Sequence, residues 1–116
     1  MLCHLCDSYR SVIGERKVSS RKHWLPQPIL RWLVLRALSE WPKNMPTRPE
    51  NEQGAGGTPP TEFESDRAKL LAALERFCAA PDAARVPHPV LGSLTREQWM
   101  IWGYQHADHH LRQFDA

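Results

Sequence analysis

The stretch TREQWMIWGYQHADHHLRQF, residues 95–114, decides the fold class. Thr95 followed three residues later by Gln98 is a capping-box pattern. In it each side chain satisfies a backbone N–H that the start of a helix leaves unpaired. At ~100° per residue, Trp99, Trp102, Gly103, His106, His110, Gln113 and Phe114 share one face, while Gln105, Asp108 and Arg112 sit opposite, towards water. The pattern predicts a helix whose buried stripe carries two histidines at its centre, between aromatics.

Working outward, the chain ahead of this helix reads in the same way. Residues 88–94 belong to a connector punctuated by Pro81, Pro87 and Pro89. Residues 61–79 predict another helix, capped by Thr58 or Thr61, with Phe63, Leu70, Leu74 and Phe77 on a common face. From Trp41 to Pro60 the chain is rich in Pro, Gly, Asn and Glu and reads as a long loop, functional or mobile. Residues 28–39 (PILRWLVLRALS) predict a short helix with Pro28 in its first turn. Residues 1–13 (MLCHLCDSYRSVI) predict a helix with Met1, Leu5, Tyr9 and Val12 on one stripe and Gly14 as its stop. No strand pattern competes, so the fold class is all-α.

The bulk properties fit a single domain over residues 1–116. The chain is 41% hydrophobic and 24% charged, which is ordinary for a folded globular protein. Its net charge is +2 and no dense Lys/Arg block occurs, so neither nucleic acid nor a membrane is expected as a partner. The most apolar stretch, Ile29 to Leu38, is interrupted by Arg31 and Arg36 and falls short of the ~20 residues that cross a bilayer. No signal-peptide pattern opens the sequence. Three cysteines, an odd number, then read as reduced thiols in the cytoplasm.

His106 and His110 are four apart, so their imidazoles leave consecutive turns in one direction and can close on one metal ion. Neutral imidazole suits zinc, nickel, iron or copper. An HxxxH pair alone is often incidental or merely supports a site, but inward placement means that buried ring nitrogens need partners. A metal supplies them, as would Gln113, Ser8 or water. A third ligand must come from elsewhere. His109 is rotated to the flank of the helix, and His23 and His88 lie beside prolines in connectors. His4 sits on a predicted helix and could face the last helix across a bundle.

At this point the sequence resembles a known family. HPVLGSLTREQWMIWGYQHADHHLRQF (88–114) is similar to the C-terminal signature of the DinB-like (DinB/YfiT-like) superfamily, in an uncharacterised bacterial branch. MLCHLCDSYR (1–10) resembles that branch's second helix, and WPKNMPTRPE (41–50) with GGTPPTEFESDR (56–67) its internal loop and third helix. The resemblance implies a four-helix bundle with a three-histidine site for a divalent metal, one ligand from the second helix and two from the HxxxH pair. Matched by motif, these are His4, His106 and His110. It also implies open coordination positions. Some relatives use low-molecular-weight thiols as cofactors in transfer or isomerisation. The family's first helix has no counterpart here, since Met1 stands only three residues ahead of His4. The expectation is therefore a truncated bundle of about three core helices plus a short extra one, from a gene start assigned too late.

The remaining signals have plainer readings beside them. Cys3 and Cys6 form C-x-x-C, but on the order of a hundred residues separate them from the histidine pair, not the ~12 of a zinc finger. Asp7 follows Cys6 where haem attachment needs histidine, and no βαβ context supports a thioredoxin-like role. Small helix residues are the expectation for this pair, and Cys78 is expected in the core. Asp7 could orient an imidazole or act as a base, against the simpler reading of a solvated flank residue. Gln113 could support a ligand or simply pack, and Trp99 and Trp102 could wall a pocket or fill the core. Arg31 and Arg36 beside Trp32 could touch a membrane surface, although a helix lying over the bundle mouth is the expectation.

Three functional classes follow. The first is a metal-dependent hydrolase or thiol-dependent transferase acting on a small molecule, with zinc, nickel, iron or manganese as the ion. The second is a non-catalytic metal-binding or stress-response module, for which a closed site needs a fourth ligand such as Asp7 or Cys3. The third is a fragment that folds only on association. Bundles of this class often pair, so a homodimer is possible.

Overall fold

The computed structural model describes every residue except 44, 46 and 116. Among the described residues it contains four α-helices and no strand, which makes the fold all-α. The chain forms two compact units, Met1–Ser19 with Pro46–Val86 and Ser20–Met45 with Pro87–Ala116. The two are interleaved along the sequence, because each is assembled from a pair of separate segments.

In the first unit, α1 (Leu2–Val12) packs against α3 (Phe63–Ala79). Leu5, Tyr9 and Val12 are buried as the stripe predicts. Tyr9 meets Phe77 with ring centroids 5.0 Å apart. Burial takes the Tyr9 phenol up to about 12, since the ionised form would lose its hydration. Gly14 follows the helix at φ +78, a left-handed conformation that costs glycine nothing.

α3 differs from its sequence reading at its start. Neither Thr58 nor Thr61 caps it. Glu62 does, its carboxylate accepting from the backbone N–H groups of Glu64 and Ser65 at 3.4 and 3.1 Å. The threonines are occupied elsewhere: Thr61 donates both its N–H (2.7 Å) and its hydroxyl (2.7 Å) to Asp66. These bonds hold the Asp66 carboxyl down to about 2. The buried stripe accordingly runs through Asp66, Ala73 and Phe77, while Phe63 is 63% exposed. Cys78, expected in the core, is exposed, one residue round the helix from buried Phe77.

In the second unit, α2 (Gln27–Trp32) opens with Pro28 in its first turn, as expected. It is shorter than residues 28–39, because Leu33–Ala37 widens into a π-turn with Leu38 N–H bonded to Leu33 C=O at 3.0 Å. Leu30 of α2 and Leu35 of that turn are both buried. α4 (Arg96–Gln113) begins with the Thr95–Gln98 capping box that the sequence predicts. Its buried part is confined to Trp99, Trp102 and Gly103. His106 and His110 are half-buried rather than central, and Gln113 and Phe114 are exposed. Gln105 and Asp108, assigned to water by the periodicity, are half-buried. No helix is long and apolar enough to cross a membrane among the described residues.

Candidate metal centre

α4 brings His106 and His110 together in the second unit, one turn apart, with ring centroids 5.0 Å from each other. His106 lies between two indoles, Trp102 edge-on at 4.8 Å and Trp41 at 5.8 Å. Trp41 is itself fixed by its Nε1–H, which donates to Val34 C=O at 3.0 Å. Aromatic rings on both sides, one edge-on and one tilted, restrict the ring's rotation, which preorganises it for a ligand.

Gln113 fixes the tautomer of His110. His110 Nδ1 lies 2.9 Å from Gln113 Oε1, and an amide oxygen can only accept. The proton of neutral His110 therefore sits on Nδ1 and the lone pair on Nε2. The amide's nitrogen faces His109 Nε2 at 3.2 Å and donates to it, which uses that ring's lone pair. The flank position foreseen for His109 thus has a chemical counterpart.

His4 stands on α1 in the first unit. Its Nδ1 lies 2.8 Å from the backbone carbonyl of Asn51, again an acceptor, so its lone pair is also on Nε2. Asn51 is buried at the end of a short 3₁₀ turn, Pro49–Asn51, and its Oδ1 accepts from Ser11 Oγ at 3.3 Å. A carbonyl or amide oxygen on the far nitrogen is the partner that metal-binding imidazoles usually have, because it fixes the tautomer and raises ligand basicity.

Asp7 is not the solvated flank residue that the sequence suggests. It is fully buried, and accepts the N–H of Thr58 at 2.6 Å and its hydroxyl at 2.8 Å. The guanidinium groups of Arg16 and Arg10 lie 3.6 and 3.7 Å away. The backbone reaches it because residue 57 is glycine: a Cβ there would sit 3.1 Å from Asp7 Oδ2 and 2.9 Å from Glu52 C=O. With its oxygens committed to Thr58, Asp7 acts as a structural tie.

Cys3 and Cys6 are both buried in the first unit. Burial pushes both thiols up, and the Asp66 carboxylate raises Cys3 further. A protonated thiol is a poor nucleophile and a poor metal ligand, which agrees with the plain reading of C-x-x-C.

His88, placed by the sequence in a connector, is a feature that periodicity missed. Its Nδ1 accepts from Val90 N–H and Leu91 N–H at 3.1 and 3.0 Å. Its backbone exchanges two bonds with Gly92, at 2.8 and 3.0 Å. The ring packs against Trp102 and Trp99 at 5.6 and 5.9 Å, and burial lowers its pKa from 6.5 to about 4. The His-Pro pair followed by Gly92 was the only signal of this turn. A folded pKa below the unfolded one means that protonation favours unfolding. Stability is therefore expected to be level above about pH 6.5 and to fall towards pH 4, by at most about 3 kcal/mol. Urea titrations across this window check it, and His88→Gln should flatten the slope. The loss from Asp66 falls lower, between its ordinary 3.8 and about 2.

A cleft of about 710 Å³ lies along α4 within the second unit, lined by Trp41, Tyr104, Asp108, His109, Arg112 and Gln113 among others. This is the size of a small-molecule site. Arg112 is held there by Asp108 at 2.7 Å and Glu40 at 2.6 Å. Through Gln113 the cleft wall connects to His110.

Among known families, residues 4–116 match the one described as a protein of unknown function (DUF1569). No curated protein matches the chain. No solved structure matches it either. The family match runs from His4 through His106 and His110 of α4 to the end of the sequence, and the chain therefore belongs to the DUF1569 family.

Proposed function

We propose that His4, His106 and His110 bind one divalent metal ion, in a DinB-like helical bundle that acts on a small molecule. The observation that carries this reading is the shared arrangement of His4 and His110. Each has an acceptor-only oxygen on Nδ1, Asn51 C=O for one and Gln113 Oε1 for the other, which directs the Nε2 lone pair to a ligand. His106 stands one turn from His110 and between two indoles. Imidazole donors suit zinc, nickel or iron.

A bound ion with three protein ligands keeps positions for water, whose pKa it lowers towards ~7, or for a thiolate. The chain's own residues then have definite tasks. Asn51 and Gln113 hold ring orientation, and Trp41 and Trp102 restrict His106. The cleft beside Gln113 offers aromatic walls and an ion-paired arginine to a substrate or a low-molecular-weight thiol. Hydrolysis and thiol-dependent transfer both fit this provision.

Elemental analysis of the purified chain, before and after chelation and reloading, tests the proposal. About one equivalent of metal per chain is expected; a chain that holds none after reloading overturns the reading. Gln113→Ala should weaken metal binding about 10–100-fold, because His110 loses the group that fixes its tautomer. Competition with a chromophoric chelator measures that change. An unaltered far-UV spectrum would separate it from unfolding.

A further inference from the structure

Between Glu15 and Glu40 the chain has no acidic residue. The portion of that run within the second unit carries Arg21, Lys22, Arg31 and Arg36. The same portion exposes three large apolar side chains, Trp24 at 85%, Trp32 at 61% and Ile29 at 51%. Ile29, Trp32 and Arg36 are spaced i, i+3, i+7 and all face solvent, while Leu30 and Leu35 are buried. The segment is thus amphipathic with an inverted outer face, apolar and basic where a surface helix is usually polar.

The cations are not equivalent. Arg31 is committed to the carbonyls of Leu91 (3.3 Å) and Ser93 (3.0 Å), and Arg36 pairs with Glu97 at 2.9 Å. Arg21 and Lys22 are exposed, directly before His23, whose ring stacks on Trp24 at 5.8 Å. Exposed indoles beside exposed cations are what a headgroup layer accommodates, with the rings at the acyl boundary and the cations at phosphate level.

We infer that Arg21, Lys22, Trp24, Ile29 and Trp32 form a peripheral docking face for an anionic lipid surface. Charge complementarity selects this occupant. A second copy of the chain would oppose Arg21 and Lys22 to their own like charges. A single-stranded nucleic acid would stack on the indoles but make no use of Ile29, which has no π face. The expectation of no membrane partner rested on modest net charge, and net charge hides a run without acids. Among the described residues no helix is long and apolar enough to cross a bilayer, and the contact inferred is a superficial one.

The test is co-sedimentation of the full chain with vesicles of phosphatidylcholine alone or with about one-third phosphatidylglycerol. Binding is expected only to the anionic vesicles and should weaken as salt rises. Trp24→Ala with Trp32→Ala should reduce it about tenfold or more, and so should Arg21→Glu with Lys22→Glu. These side chains are exposed, and an unchanged urea midpoint would confirm that the variants fold. Equal binding to neutral vesicles overturns the inference, as does no binding to either. So does retention of oligonucleotides without vesicle binding, or self-association that the tryptophan variants abolish.

Discussion

His106→Ala is expected to abolish stoichiometric metal binding while leaving helix content unchanged. The imidazole is half-buried and rests on Trp102, but the buried part of α4 lies before it, at Trp99, Trp102 and Gly103. Its loss removes one of three ligands, and two imidazoles leave an ion mostly to water. The fall in affinity should exceed the ~10–100-fold expected when only a supporting residue is changed. His110→Ala and His4→Ala should behave alike, and His109→Ala should not, since its Nε2 already accepts from Gln113. Isothermal titration with zinc and nickel measures all four. Full metal retention in His4→Ala would reduce the site to the α4 pair and remove His4 from the proposal.

The second large effect is on stability. Asp7→Ala should destabilise the chain by about 3 kcal/mol, within the range for breaking a buried charged network by deleting one partner. The side chain is 1% exposed and answers both the N–H and the hydroxyl of Thr58, with Arg16 and Arg10 beside it. Truncation leaves those donors unsatisfied in a space water fills poorly. Asp7→Asn keeps an acceptor for Thr58 and should cost less. Urea denaturation gives both values, and a change below about 0.5 kcal/mol for the alanine variant would contradict the role assigned to this tie.

What the sequence made legible was local. The capping box of α4, the Pro28 start of α2, the α1 stripe and the HxxxH pair all depend on residues within a turn or two of each other. What it concealed depended on distant partners. Asp7 looked solvated because Thr58, which buries it, lies 51 residues away. Thr58 and Thr61 looked like caps because each has the right chemistry, but aspartates claimed them and left the cap to Glu62. Helix periodicity carried the stripe of α4 on to Phe114, whereas burial stops at Gly103, since periodicity reports direction and not what lies there. Gln113 read equally as support for a ligand or as simple packing, and its amide meets both His110 and His109. His88 has no periodic signature, because a turn and two tryptophans define it.

The interleaving of the two units bears on how the protein is made. During synthesis the first unit has all its segments once residue 86 has left the ribosome. Residues 20–45 emerge earlier but cannot complete their own unit until α4 follows, so Leu30 and Leu35 must wait without their final neighbours. A nascent chain in that state shows apolar surface for several seconds at ordinary elongation rates, about 5–20 residues per second. Neither unit can be obtained as one continuous fragment, and any cut between residues 20 and 86 separates segments that fold together.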